Sequence, residues 1–164
     1  AAAGAAMPIN NRPDELYDFD GFDPSRLHFM QVGLWNKNQL MRFFAPGNQA
    51  HVSHSVLSEG MGKEYFEAEC ITIAELLRRI GEPKVSVLKL DIERAELVVI
   101  ENLLDENIRP DCLLIEYDEG RNPVDGGYYD RIRASINALQ RAGYRLIDVD
   151  VWNFVFVYTP PPTA

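Results

Sequence analysis

Between residues 72 and 158 helical and strand signals alternate, and this alternation limits the architecture of the chain more than any other feature. TIAELLRRIG (72–81) places Leu76, Leu77 and Ile80 at helical spacing, opened by Thr72 and Glu75 in a T-x-x-E capping box and closed by Gly81. VSVLKL (85–90) is short and β-branched enough for a strand, and Leu97, Ile100 and Leu103 or Leu104 follow at helical period. Arg109-Pro110 interrupts the chain before DCLLIEY (111–117), which reads as a buried strand, and EGRNPVDGG makes a loop. The next helix is expected from about Tyr128 to Ala142, with Ile132, Ile136 and Leu139 on one face and Gly143 as its stop. YRLIDVDV and FVFVYT then read as two strands around a tight DVWN connection. The order helix, strand, helix, strand, helix, strand, strand implies right-handed crossovers. It predicts a mostly parallel α/β sheet closed by a C-terminal antiparallel hairpin.

Upstream the signals are shorter. Residues 8–26, PINNRPDELYDFDGFDPSR, are rich in Pro, Asp and Asn and read as turns or loop, with at most a helical turn around Glu15 to Tyr17. LHFMQVGLW (27–35) and QLMRFF (39–44) are apolar runs separated by NKN, a hairpin-like arrangement, and APGNQAHVSHS is a polar loop. YFEAECIT (65–72) alternates as a strand does. The expected organisation is an irregular segment over residues 1–26 and an α/β domain over 27–160. AAAGAA before Met7 reads as a cloning scar or a weakly ordered lead-in, and the PPPTA end as a stop segment.

The charge balance bears on partners. Sixteen Lys and Arg against twenty-five Asp and Glu give a net charge of -9, with no basic stripe to meet a phosphate backbone, so nucleic-acid binding is not expected. No apolar run approaches the roughly 20 residues that cross a bilayer, and no basic region followed by an apolar stretch opens the chain. Cys70 and Cys112 sit in apolar strand-like runs without metal-ligand spacing and read as buried reduced thiols. A cytoplasmic protein without a membrane segment is the expectation.

Chemistry concentrates at strand ends. In an open α/β sheet, ligands bind outside the carboxyl ends of the strands, where amides of the following helix face outward. Asp91 and Glu116 both occupy that position on successive strands, so their carboxylates are expected on one rim. The plainer reading is that Asp91 and Glu93 complement the positive end of a helix dipole, each contributing about 0.3 to 1 kcal/mol. We assign Asp91 to a ligand site and Glu93 to the cap. His51 and His54 flank Val52-Ser53 in a polar loop, where an imidazole is either a general base or simply solvated. Trp35 lines a site or packs in a core, and Tyr128 and Tyr129, after a Gly-Gly pair, line a pocket or pack. A divalent cation between Asp91, Glu116 and a histidine is conceivable chemically, but no tight metal motif supports one.

LKLDIERAELVVIENLL resembles the strand-to-helix signature of FkbM-type methyltransferases, which reads L-K-hydrophobic-D-hydrophobic-E-G-A-E. The preceding T-x-x-E-L-L helix, the following LLIEY strand, the HFMQVGLW run and the HVSHS loop fit the same pattern in order, over about residues 27–158. The resemblance implies a Rossmann-like sheet of order 3-2-1-4-5-7-6. It also implies S-adenosylmethionine as cofactor and O-methylation of a hydroxyl on a sugar or small metabolite. It makes His54, Asp91 and Glu116 the catalytic candidates, with Trp35 and Asp91 toward the cofactor.

Two departures stand out. Arg94 occupies the position of the pattern's Gly, and no G-x-G-x-G turn exists anywhere in the chain. Asp23, in GFDPS, lies too close to the LHF run to be the acid that bonds a cofactor ribose, and suits turn chemistry instead. With the N-terminal strands apparently missing, a gap of two strand widths is expected in the sheet, exposing edges that invite pairing. The chain is then expected to be a truncated product of a longer parent, or a fragment that self-associates through the open edge. The competing expectation is a non-catalytic remnant that serves as an interaction or dimerisation module.

Overall fold

A computed structural model describes residues 8–9, 12–16, 23–46 and 61–160 of the chain. It divides between Met30 and Gln31 into two compact units. In the first unit, β1 (Pro8–Ile9) and β2 (Arg12–Leu16) pair antiparallel, and a single 3-10 turn spans Pro24–Arg26. The expected helical turn near Glu15 is replaced by strand at Glu15 and Leu16. Asp23 Oδ1 accepts the Ser25 amide at 3.0 Å and the Ser25 hydroxyl at 2.7 Å, which holds its carboxyl below the ordinary value. Asp23 therefore closes a turn, as its Asp-Pro context suggests.

The second unit contains two sheets. The smaller consists of β3 (Gly33–Leu34), β4 (Gln39–Pro46) and β5 (Met61–Ile71), in the order β3-β5-β4. The expected hairpin between 27–35 and 39–44 is not formed: both segments pair with β5, β3 parallel and β4 antiparallel. The longer alternating run of β5 offers more ladder than the two short runs offer each other. Asn38 of the NKN stretch also has another task, accepting the Thr72 amide at 3.0 Å.

That contact remakes the helix start. Thr72 Oγ1 accepts the Glu75 amide at 3.2 Å, as the capping box requires, and opens α1 (Ile73–Ile80). The reciprocal half is supplied by Asn38, because the Glu75 carboxylate is gripped by Arg78 and Arg79, which hold it down to about 2. Gly81, at φ 75, ends the helix in the left-handed conformation.

The larger sheet is built from β6 (Val87–Leu90), α2 (Glu96–Asp105), β7 (Cys112–Glu116), α3 (Asp118–Arg121), α4 (Tyr128–Arg141), β8 (Tyr144–Asp150) and β9 (Asn153–Tyr158). Its strand order is β6-β7-β9-β8. This coincides with the 4-5-7-6 half of the order that the resemblance implies. The other half is not reproduced among the described residues, where β6 is an edge strand. In this sheet β6 and β7 pair parallel and β9 pairs antiparallel with both β7 and β8, so β6, β7 and β8 run in one direction and β9 alone runs against them, in line with the expected parallel strands closed by an antiparallel hairpin. The crossover through α2 joins β6 to its neighbour β7, and the one through α3 and α4 carries the chain past the place of β9 to β8. The last two strands close instead around the turn at Val151 and Trp152, with Val151 at φ 55.

One face of this sheet carries the core. Leu90, Leu113, Ile115, Phe154 and Phe156 align across the strands and pack with Val99, Ile100 and Leu103 of α2 and Ile132 and Leu139 of α4. The alternation of strand side chains sends Val87, Lys89, Leu114 and Val155 to the opposite face. None of those four belongs to the core. Cys70 is buried and Cys112 half-buried, and both are free thiols. No described helix is long and apolar enough to cross a membrane.

Candidate functional site

The parallel register of β6 and β7 decides where the strand-end acids fall. Leu90 lies opposite Ile115, so Asp91 and Glu116, each one residue further on, emerge at the same end of adjacent strands. On β9, Asn153 pairs with Glu116 and joins this rim. Each acid has a cationic neighbour: Lys89 Nζ lies 2.5 Å from Asp91 Oδ2, and an Arg121 nitrogen lies 3.1 Å from Glu116 Oε1. Lys89 reaches Asp91 because residues two apart on a strand share a face. The Asp91 side chain is 44% exposed against 19% for Glu116, so Asp91 is the more available of the two.

Behind the rim lies a second set of acids. After β6 the backbone makes a turn in which both Glu93 (φ 54) and Arg94 (φ 77) are left-handed, a conformation that L side chains adopt at a cost of about 1 to 2 kcal/mol each. The pattern's Gly at Arg94 is what this geometry would favour. Arg94 Nε instead faces Asp118 Oδ2 at 3.7 Å, which ties the turn after β6 to the start of α3 after β7.

The helix that follows does not have Glu93 at its N-cap position. Its N-cap residue is Ala95, which supplies no side-chain bond, and the carboxylate that serves the turn is Glu96, whose Oε1 accepts the Ile92 amide at 2.9 Å. Glu96 is 1% exposed, and burial pushes its carboxyl up to about 7, with the nearby Asp118 charge adding to the rise and amide hydrogen bonds opposing it. Beside it Tyr117 is buried, its hydroxyl 3.0 Å from Ser135 Oγ of α4, and burial raises that phenol to about 12. Glu119 and Arg131 form a close ion pair that Asp125 extends at 2.9 Å.

The other candidates are not gathered here. Trp35 follows β3 in the smaller sheet, half-buried, with its amide donating to the Ile71 carbonyl at 2.9 Å. His51 and His54 lie outside the described residues. Tyr128 packs edge-on against Trp152, with ring centroids 6.1 Å apart, whereas Tyr129 is exposed. Among the described residues no cluster of His, Cys, Asp and Glu has the form of a metal site.

The family model for the methyltransferase FkbM domain matches residues 21–146. The chain belongs to the FkbM methyltransferase-domain family. Comparison with curated proteins and with solved structures finds no significant match. The matched span of the FkbM domain contains both rim acids and the whole turn behind them. Sequence reasoning found Asp91 and Glu116 but passed over Glu96 and Asp118. The signal for Glu96 was present, since it is the second Glu of the FkbM signature and stands one residue before the apolar run of its helix.

The described residues fit S-adenosylmethionine at one end. Carboxylates on the rim suit the cationic sulfonium and ammonium groups by charge. For the adenosyl end, Asp23 and Gly33 are already engaged elsewhere. Asp23 is consumed by its own turn, and a Cβ at Gly33 would stand 2.7 Å from Cys70 Sγ and 2.8 Å from the Phe43 ring, which marks Gly33 as a packing glycine rather than a ligand cradle.

Proposed function

We propose that this FkbM domain takes part in S-adenosylmethionine-dependent methylation of a hydroxyl group on a sugar or small metabolite, with the rim of Asp91 and Glu116 as its reactive centre. The observation that carries this reading is the register that sets Leu90 against Ile115 and so brings both acids to one strand end. When bound, the cofactor supplies an electrophilic methyl group on a sulfonium. Asp91 accepts the acceptor hydroxyl's proton, and Glu116, held by Arg121, orients the acceptor or balances the sulfonium charge. His54 is the other base candidate of the domain, and Trp35 the candidate for stacking on the adenine. A Rossmann-like sheet and a cytoplasmic site of action belong to the same reading.

Titration calorimetry with S-adenosylmethionine tests it directly. Saturable heat that is lost in Asp91→Asn supports the assignment. No heat with the intact chain removes it.

One observation favours a second reading, in which the same half-sheet serves as a non-catalytic interaction or dimerisation module. β6 is an edge strand among the described residues, and its Val87 is 59% exposed. A solution mass of two or more chains, together with silence toward S-adenosylmethionine, is the outcome this reading requires.

A further inference from the structure

Two consecutive left-handed residues, Glu93 and Arg94, form an unfavourable backbone that persists only where its surroundings over-determine it. Its neighbours hold it in place. The Ala95 amide donates to the Ile92 carbonyl at 3.4 Å, Arg94 faces Asp118 at 3.7 Å, and the Ile92 amide donates to Glu96 Oε1 at 2.9 Å. The last of these uses a side chain that is sealed from solvent. Because Ile92 is the residue next to Asp91, the Glu96 carboxylate sits one peptide away from the rim acid.

We propose that Glu96 is a positioning residue for the rim. Its buried carboxylate fixes the peptide that follows Asp91 and thereby sets the direction in which Asp91 is presented to a ligand. The role rests on the reading of the rim as a methyl-transfer site for its consequence, but not for its geometry. Nothing about Glu96 touches the reacting atoms; it acts through the Ile92 peptide.

The groups that face Glu96 make this arrangement sensitive to a proton. From α3 comes Asp118, whose negative charge disfavours ionisation of Glu96 and is itself engaged by Arg94. From the end of β7 comes Tyr117, which stays neutral and is bonded to Ser135 of α4. Glu119, on the same short helix as Asp118, is occupied by Arg131. Within the turn, the amides of Ile92, Arg94 and Glu96 favour the ionised form. The carboxyl, raised to about 7, changes charge within the physiological range.

The test uses the full chain, nitrogen-labelled and followed by proton–nitrogen NMR from about pH 5 to about pH 9. In the wild type, the Asp91 and Ile92 amide resonances are expected to shift together with a midpoint near 7. Glu96→Gln, which keeps an acceptor oxygen, is expected to lose that titration while leaving the Ile92 amide protected from hydrogen exchange. Glu96→Ala is expected to speed Ile92 exchange about tenfold or more, the loss of one buried hydrogen bond. An Asp91 resonance that titrates identically in Glu96→Gln overturns the proposal, as does an Ile92 amide whose exchange is the same in all three proteins. Calorimetry with S-adenosylmethionine, run across the same range, separates the two layers. If the wild type binds, its pH profile loses the inflection near 7 in Glu96→Gln. If it does not bind, the methyl-transfer reading fails while the resonances still decide the role of Glu96.

Discussion

Arg94 Nε stands 3.7 Å from Asp118 Oδ2, joining the turn after one parallel strand to the turn after its neighbour. Both side chains are largely buried, at 17% and 15% exposure, so the pair is screened less than a surface ion pair. Arg94 holds this contact from a left-handed backbone. Arg94→Gly would relieve about 1 kcal/mol of backbone cost but leave Asp118 facing Glu96 without its cation, a loss of about 2 kcal/mol. The net expectation is a destabilisation of about 1 kcal/mol in chemical denaturation. Adding Asp118→Asn to Arg94→Gly should return stability to the wild-type level or above it, as the stranded charge is removed. If Arg94→Gly alone raises stability, the ion pair contributes less than the left-handed backbone costs.

The raised carboxyl of Glu96 makes a signed prediction for stability against pH. Its value in the folded protein, about 7, exceeds the ordinary 4.5, so the folded state holds the proton more tightly than the unfolded chain. Its contribution is therefore fully present below about pH 4.5 and is lost as pH rises through about 7. A shift of this size corresponds to about 3 kcal/mol. Other carboxylates move in the opposite sense, Asp125 beside Arg131 among them, so the informative quantity is the difference between wild type and Glu96→Gln. That difference, from urea denaturation at a series of pH values, should change by about 3 kcal/mol across this window and stay constant outside it.

The contrast between Asp91 and Glu96 shows what was legible in the sequence. Asp91 was found because a strand end followed by helical periodicity is a local pattern, and the same pattern placed α1, α2, α4 and the C-terminal hairpin. Glu96 was passed over because its importance depends on burial against Tyr117 and Asp118, which come from a segment more than twenty residues later in the chain. Glu93 was given the capping role because acids in the first turn usually cap; the left-handed backbone at Glu93 and Arg94 moved the helix start to Glu96. The smaller sheet was misread for a related reason. Short apolar runs such as LHFMQVGLW do not declare their partner, and β3 and β4 both pair with the longer β5, β3 over two residues only. Sheet order beyond β6 followed from the resemblance rather than from periodicity.

Tyr117 and Ser135 provide a test of how the end of β7 is anchored to α4. Their oxygens are 3.0 Å apart, and Tyr117 is almost wholly buried. Tyr117→Phe retains the ring and its edge-on contact with Phe154 at 5.2 Å but strands the serine hydroxyl. A loss of about 1 kcal/mol is expected, and Tyr117→Phe combined with Ser135→Ala should recover most of it. Thermal unfolding of the two variants distinguishes this from a purely hydrophobic role for Tyr117, in which the single substitution would be neutral.

Gly120 is required by a neighbour rather than by its backbone. A Cβ there would overlap the Trp152 ring, including Cε2 at 2.7 Å, so Gly120→Ala must displace the indole from its place beside Tyr128. Overpacking of this kind costs about 1 to 3 kcal/mol. The displacement should also shift the tryptophan emission to longer wavelength as the ring gains water, a signal to be read against a Trp35→Phe background. Unchanged emission would mean that the α3 segment yields instead of the ring.

Asp91→Asn separates ligand chemistry from helix electrostatics. Asp91 is exposed and its partner Lys89 is more so, which limits their mutual contribution to stability to well under about 1 kcal/mol. Replacing the carboxylate by an amide of the same shape should leave the denaturation midpoint nearly unchanged. If Asp91 accepts a proton during methyl transfer, the same substitution should lower the transfer rate by about 100-fold or more. Glu116→Gln supplies the comparison. Its carboxylate is more enclosed and engaged by Arg121, so a role in orienting the acceptor predicts a raised KM with a smaller change in kcat. Equal and small losses in both variants, measured with S-adenosylmethionine and a panel of hydroxylated acceptors, would move the reactive base away from this rim.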